Sequence, residues 1–321
     1  MNMAHCTDSG IEISKDSVDK VMHGKSYIIA SVCNYGYLRI VKNWAWYLKK
    51  LNIPNYLVFC LDNRLYDKLL ELGINAYHVK TCQHFPTNSQ VHRTCGFSII
   101  VHGKITVVYE LLKAGFDILL SDADTIWLKD PMKYIAVEGY DIQMQSDARS
   151  YDKEFPLQAA YFNTGFYYVK SNAKTKQLFE KVLLDMASSQ LKDDQISFNK
   201  VIKEEGGGID FLPPDSAYSQ DEKKISIKIL DPLQFPNGAI YFNMSGMCGG
   251  LNINPVVIHA NFFNQVNSKI EAIRSAGYWR FESKDEMMLW KIKSFVYNIY
   301  RHAYGILRDI KVLRDIKRKF F

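Results

Sequence analysis

Apolar residues along the chain gather into short runs bounded by turn residues, and these runs alternate with stretches of helical spacing. Ser26–Cys33 is an apolar run with β-branched residues that ends at Asn34-Tyr35-Gly36, and the amphipathic stretch Tyr37–Leu51 follows, which reads as strand, turn, helix. Asn55–Leu61 gives a second buried strand ending at Asp62-Asn63, then a helix to Leu72 with Gly73 as its stop, then a third strand over Ala76–Val79. This alternation predicts a mostly parallel sheet built from βαβ units and flanked by helices.

Beyond a polar loop over Thr81–Thr94, Ile100, Ile105, Val108, Leu111 and Leu112 recur at helical spacing within Phe97–Lys113, which Gly115 closes. Phe116–Leu120 is then a buried strand that delivers Ser121-Asp122-Ala123-Asp124 at its carboxyl end, the edge where open α/β sheets bind ligands. Tyr140–Gln145 and Phe162–Lys170 read as strands, and Ala173–Ala187 as a helix. Gln195–Lys203 reads as a shorter helix ended by a flexible connection at Gly206–Gly208, with late strands at Ile225–Leu230 and Val256–His259.

Composition suits one large globular domain or two closely packed ones: 321 residues, 47% hydrophobic and 23% charged. Cys6, Cys33, Cys60, Cys82, Cys95 and Cys248 are scattered in a chain too long to need disulfide staples, so free thiols and a cytoplasmic location are expected. The first 25 residues lack the basic start and apolar stretch of a signal peptide, and no run approaches the ~18 apolar residues of a membrane span. The spacing of Cys82, His84, His92 and Cys95 matches no closed zinc module.

Charge changes the picture more. Residues 291–321 hold nine Lys or Arg against Asp309 and Asp315, a net of +7, which against +6 for the whole chain leaves the preceding residues at −1. A nearly neutral body without a basic, aromatic-interleaved stripe argues against nucleic acid as a partner. In the tail, Ile292, Phe295, Ile299, Ala303, Ile306, Ile310 and Leu313 recur at three- and four-residue steps, predicting a basic amphipathic helix that lies on the cytosolic, anionic face of a membrane or, alternatively, docks on the body with its charges in water. The expected organisation is an N-terminal extension over 1–25, poorly ordered or peripheral, one α/β domain over 26–283, and the tail over 284–321.

Asp122 and Asp124, with His259 at the end of the last strand, form a candidate metal set. Two carboxylates suit Mg2+ or Mn2+, and one imidazole shifts the balance toward Mn2+. Their position predicts exposed, strand-end carboxylates. Taken singly, Asn163 before Thr164-Gly165 reads as turn chemistry, Asp194 as a helix N-cap with Asp193 beside it, and His259 as a core histidine.

The stretch from Asp117 to Pro131, Asp-Ile-Leu-Leu-Ser-Asp-Ala-Asp-Thr-Ile-Trp-Leu-Lys-Asp-Pro, resembles the central motif of the nucleotide-diphospho-sugar transferases of glycosyltransferase family seventy-seven. Asn43-Trp44, Phe162–Val169, Asp194-Gln195 with Phe198-Asn199, and His259-Ala260-Asn261 fall in that family's order, so the resemblance covers roughly residues 26–280. It implies a GT-A-like fold, a UDP-sugar donor of galactose, xylose or arabinose type, a glycan or glycoprotein acceptor, and retention of anomeric configuration. It also implies individual roles. Asp122, Asp124 and His259 would hold the metal; Asn34 and Tyr35 would lie near the nucleobase; Lys104 would approach the donor phosphate or sugar and Lys269 the diphosphate; Asp147 and Asn163 would contact sugar hydroxyls; Asp194 and Gln195 would stabilise the reacting centre. Two other classes share these features: an inactive GT-A-fold protein that binds glycans or scaffolds a partner at a membrane, and a metal-dependent phosphohydrolase.

Overall fold

The computed structural model describes residues 11–81, 84–91, 94–135, 139–148, 161–188, 193–212, 222–243 and 253–281. The chain divides into two compact units, Met1–Tyr278 and Trp279–Phe321. Of the second unit only Trp279–Phe281 are described, so the predicted tail helix lies outside the described residues, as do Cys82 and His92 of the cysteine–histidine cluster.

The predicted alternation is present. β1 (Tyr27–Cys33), α2 (Leu38–Lys50), β2 (Tyr56–Cys60), α3 (Asn63–Glu71) and β3 (Ala76–His78) follow in turn, the three strands forming one end of an eight-stranded sheet. α4 (Cys95–Lys113) leads to β4 (Asp117–Ser121), then β5 (Thr125–Trp127), β6 (Ile142–Ser146) and β7 (Phe162–Val169). α5 (Ala173–Ala187), α6 (Asp194–Glu204), β8 (Ile209–Leu212), β9 (Ile225–Ile229), β10 (Val257–His259) and α7 (Val266–Ser275) complete the body. The large sheet runs β3-β2-β1-β4-β7-β6-β9-β8, and β10 pairs with β5 in a separate antiparallel ribbon.

The sheet is mostly parallel, but β7 runs antiparallel to both β4 and β6. This reversal places the first residues of β7 beside the carboxyl end of β4, where Asp122 N–H donates to Gly165 O at 2.7 Å. β1 pairs with β2 on one side and β4 on the other. The chain therefore reverses its direction of winding between β1 and β4, which opens a crevice at their carboxyl ends.

Local chemistry explains where elements begin and end. Asp62 caps α3 through Leu65 N–H at 2.8 Å with one carboxylate oxygen and takes Tyr35 N–H at 2.7 Å with the other. Gly73, at φ 63°, supplies the left-handed residue that stops α3. α5 opens on a capping box between Asn172 and Thr175. Gly206–Gly208, expected as a flexible connection, forms a single 3-10 turn.

Two expectations change. The stretch 1–25 contributes α1 (Lys15–Met22), capped by Ser14 and anchored by the fully buried Val18 in the core under β1 and β2. Val21 and Met22, partly buried, pack against the same core, so the apolar stripe of this helix is only three residues long. α4 is long and apolar enough, by length and composition, to cross a membrane. In the fold it is the central core helix, with Val101, Ile105, Val107, Val108, Leu111 and Leu112 all buried.

Candidate active site

Asp122-Ala123-Asp124 is a tight turn between β4 and β5. Thr125 closes it, its N–H reaching Asp122 O at 3.1 Å and its hydroxyl the same oxygen at 2.8 Å. The Ser121 and Thr125 hydroxyls meet at 2.7 Å, and the indoles of Trp44 and Trp127 donate to Ser121 Oγ at 3.1 and 3.2 Å. These four side chains are buried, so the turn is clamped from beneath and both aspartates project from one rigid base.

His259 arrives from the other end of the chain. β10 pairs with β5 so that His259 lies opposite Thr125, and Ala260 N–H donates to Asp124 O at 2.9 Å. Ligand atoms of Asp122, Asp124 and His259 all fall within 4.8 Å of one another. Gln145 on β6 orients the imidazole: its Nε2 donates to Phe235 O at 2.9 Å, so its Oε1 accepts from His259 Nδ1, also at 2.9 Å. Nε2 of His259 then carries the lone pair and faces Asp124 Oδ1 at 3.3 Å. Two carboxylates and an imidazole with a fixed tautomer fit a hard divalent cation.

Two lysines compensate the negative charge. Lys269, at the end of the first turn of α7, lies 2.5 Å from Asp124 Oδ2. Lys104 on α4 lies 2.6 Å from Asp194 Oδ2, 3.4 Å from Asp122 Oδ1 and 3.3 Å from Thr164 O. Asp124 is 2% exposed, not the open carboxylate its strand-end position predicts. Burial alone would raise its pKa, but the Lys269 ammonium outweighs that cost and holds the group well below the usual carboxylate range. Desolvation pushes Asp122 the other way, above its ordinary value, because Lys104 only partly offsets burial and the neighbouring Asp124 charge adds to it.

The predicted sugar-side residues also converge. Asp147, just past β6, accepts from Asn163 Nδ2 at 2.8 Å, Asn261 Nδ2 at 3.1 Å and Gln195 Nε2 at 2.9 Å, so three amides from distant segments close on one carboxylate. Asp193 is the residue that caps α6, through Ile196 N–H at 2.7 Å, which leaves Asp194 to bind Lys104 and the Thr164 hydroxyl at 2.8 Å. Lys104 and Asp194 thus face each other inside the protein rather than the open crevice.

At the end of β1, Asn34 Nδ2 donates to Pro86 O at 2.7 Å and Asn88 O at 2.8 Å, pinning the 84–89 loop over the strand. Its Oδ1 is buried without a hydrogen-bond partner among the described residues. The Tyr35 ring lies beneath the Arg64 guanidinium at 3.8 Å. Gln145 was not foreseen as functional; its signal was a strand, Ile-Gln-Met-Gln-Ser, whose polar positions are as buried as its apolar ones.

A mixed α/β sheet with two carboxylates and an imidazole at its switch point defines the class: a GT-A-like domain. The chain belongs to the nucleotide-diphospho-sugar transferase family, whose model matches residues 51–273. It is 26% identical over 266 residues to the beta-arabinofuranosyltransferase RAY1 of Arabidopsis thaliana, covering 81% of this chain and 49% of that protein. It is 26% identical over 282 residues to a UDP-galactose:fucoside alpha-3-galactosyltransferase of Dictyostelium discoideum, covering 78% and 42% respectively. A UDP-D-xylose:L-fucose alpha-1,3-D-xylosyltransferase of Arabidopsis thaliana is 22% identical over 187 residues, 53% of this chain and 46% of the relative. The chain thus spans less than half the length of these relatives.

Proposed function

We propose that the chain is a retaining, metal-dependent glycosyltransferase that moves a pentose or hexose from a UDP-sugar to a hydroxyl of a glycan or glycoprotein. The observation that carries this reading is the convergence of Asp122, Asp124 and His259 within 4.8 Å at the carboxyl edge of the sheet. Mn2+ is the cation this donor set suits best, with Mg2+ a substitute; when bound, it supplies charge compensation for the departing diphosphate.

The remaining residues divide the donor among them. The base lies by Asn34 and Tyr35, where the buried Asn34 Oδ1 offers an acceptor to a ring N–H. The diphosphate lies toward the N-terminus of α7, which has no side-chain cap on its amides, and Lys269 in that helix supplies a cation. The sugar lies against Asp147, Asn163 and Gln195. Because Gln195 Nε2 is turned to Asp147, its amide oxygen is the atom that can face an electron-poor anomeric carbon. The acceptor oxygen bonds to that carbon on the face the diphosphate leaves, and its proton passes to a departing phosphate oxygen. Asp194, held by Lys104 and Thr164, supports the site from behind through its charge.

The names of the relatives support the donor class: they transfer arabinose, galactose and xylose, and two are named for α-linked products from UDP-sugars. A thermal-shift screen of UDP-galactose, UDP-xylose and UDP-arabinose with and without Mn2+ tests the proposal, since a ligand of the native state raises the melting temperature by mass action. Stabilisation is expected only with sugar nucleotide and metal together. The absence of any shift overturns the reading, and UDP-sugar cleavage without an acceptor-dependent product replaces it with a phosphohydrolase.

A further inference from the structure

Gly165 stands directly beside the candidate metal ligands, on the strand that faces them. Its backbone is held on both sides: its carbonyl accepts from Asp122 N–H at 2.7 Å, and its own N–H donates to Asn163 Oδ1 at 2.8 Å. A Cβ placed on it would fall 2.3 Å from His259 Cε1, 2.7 Å from Asp122 Oδ2 and 3.0 Å from Asn163 Oδ1. Non-bonded carbon atoms rest about 3.5–4.0 Å apart, so a single methyl group would collide with two prospective ligands at once.

The neighbours differ in their freedom to move. Asp122 is 31% exposed on its side chain and has room to turn away. The imidazole does not: it is 3% exposed, and its Nδ1 is tied to Gln145, whose amide is itself tied to Phe235 O. A methyl group at 165 would therefore displace the ring, the carboxylate or β7 itself, and each displacement separates ligands that must face one ion.

We propose that Gly165 is a positioning residue for the metal: the missing side chain sets the space in which Asp122 and His259 converge. This rests on the metal-dependent reading above and adds to it a residue that bears no ligand atom. Gly206 provides the contrast, because a Cβ there meets nothing within 4 Å.

The test is a Mn2+ titration of the full chain, read by the electron paramagnetic resonance of free Mn2+ with and without UDP, on wild type, Gly165→Ala and Gly206→Ala. Gly206→Ala should bind as wild type does, and Gly165→Ala should bind at least about tenfold more weakly, the scale on which lost ligand positioning acts. If wild type binds no Mn2+, the metal reading fails; if wild type and Gly165→Ala bind alike, only the role of Gly165 is overturned. Should Gly165→Ala fold poorly, the stability cost of the substitution is compared in the wild-type and His259→Ala backgrounds by urea unfolding. The cost should shrink when the ring is gone, and equal costs in both backgrounds overturn the proposal.

Discussion

Lys104 Nζ lies 2.6 Å from Asp194 Oδ2, and the two side chains are only 7% and 5% exposed. Removing one partner of such a pair leaves an uncompensated buried charge, at a cost of about 3–5 kcal/mol. Lys104→Met is therefore expected to lower the urea midpoint severely, and adding Asp194→Asn should recover part of the loss. An unchanged midpoint in Lys104→Met would mean that the pair carries no stability, and any loss of transfer would then belong to donor binding.

Asp124→Asn should abolish transfer while nearly preserving side-chain shape. It is the sharper variant than Asp124→Ala, because the carboxylate is buried against Lys269 and His259 and truncation would also disturb packing. Asp122→Ala and His259→Ala should be nearly as severe. Retention of more than about a tenth of kcat/KM, a loss below about 1.4 kcal/mol, would remove Asp124 from the ligand set.

Stereochemistry provides an independent check. With Gln195 offering an amide oxygen and, among the described residues, no carboxylate at the proposed sugar site that is not already hydrogen-bonded or ion-paired, an α-linked UDP-sugar should give an α-linked product. NMR of the product showing a β linkage would refute retention together with the roles assigned to Asp194 and Gln195.

The described thiols should differ in reactivity. Burial pushes Cys33 up to about 12 and raises Cys60 as well, whereas Cys95 is exposed at the start of α4. Since the thiolate is the nucleophile, brief iodoacetamide treatment of the native protein at pH 8 should label Cys95 and spare Cys33 and Cys60. Peptide mapping that finds Cys33 or Cys60 modified before Cys95 would show that this end of the sheet opens.

The basic tail is proposed to hold the protein on anionic lipid, each cation near the surface contributing about 1 kcal/mol that salt weakens. Liposome co-sedimentation should fall on truncation after Trp290 and at high salt. Equal sedimentation of both chains with anionic vesicles would take the tail out of the explanation.

Strand positions were legible wherever an apolar run ended in a turn, as at Cys33, Cys60 and Leu120. β5 and β8 were not, since three or four residues after a turn carry no periodicity. Nor could spacing reveal that β7 runs antiparallel to β4, the reversal that brings Gly165 to Asp122. The candidate metal set and the proposed sugar-side residues were readable as motifs in order, but their partners were not. Lys269 meets Asp124 across 145 residues, and Gln145 meets His259 across 114, separations at which sequence shows residue types and not contacts.

The order of the parts along the chain bears on synthesis. Asp122 and Asp124 sit in the turn between β4 and β5, but His259 and Asn261 come only at and just after β10. A nascent or C-terminally clipped chain that stops before β10 has the two aspartates without the imidazole, and Asp147 without one of its three amides. The proposed donor site is therefore complete only once the chain has been made through Asn261.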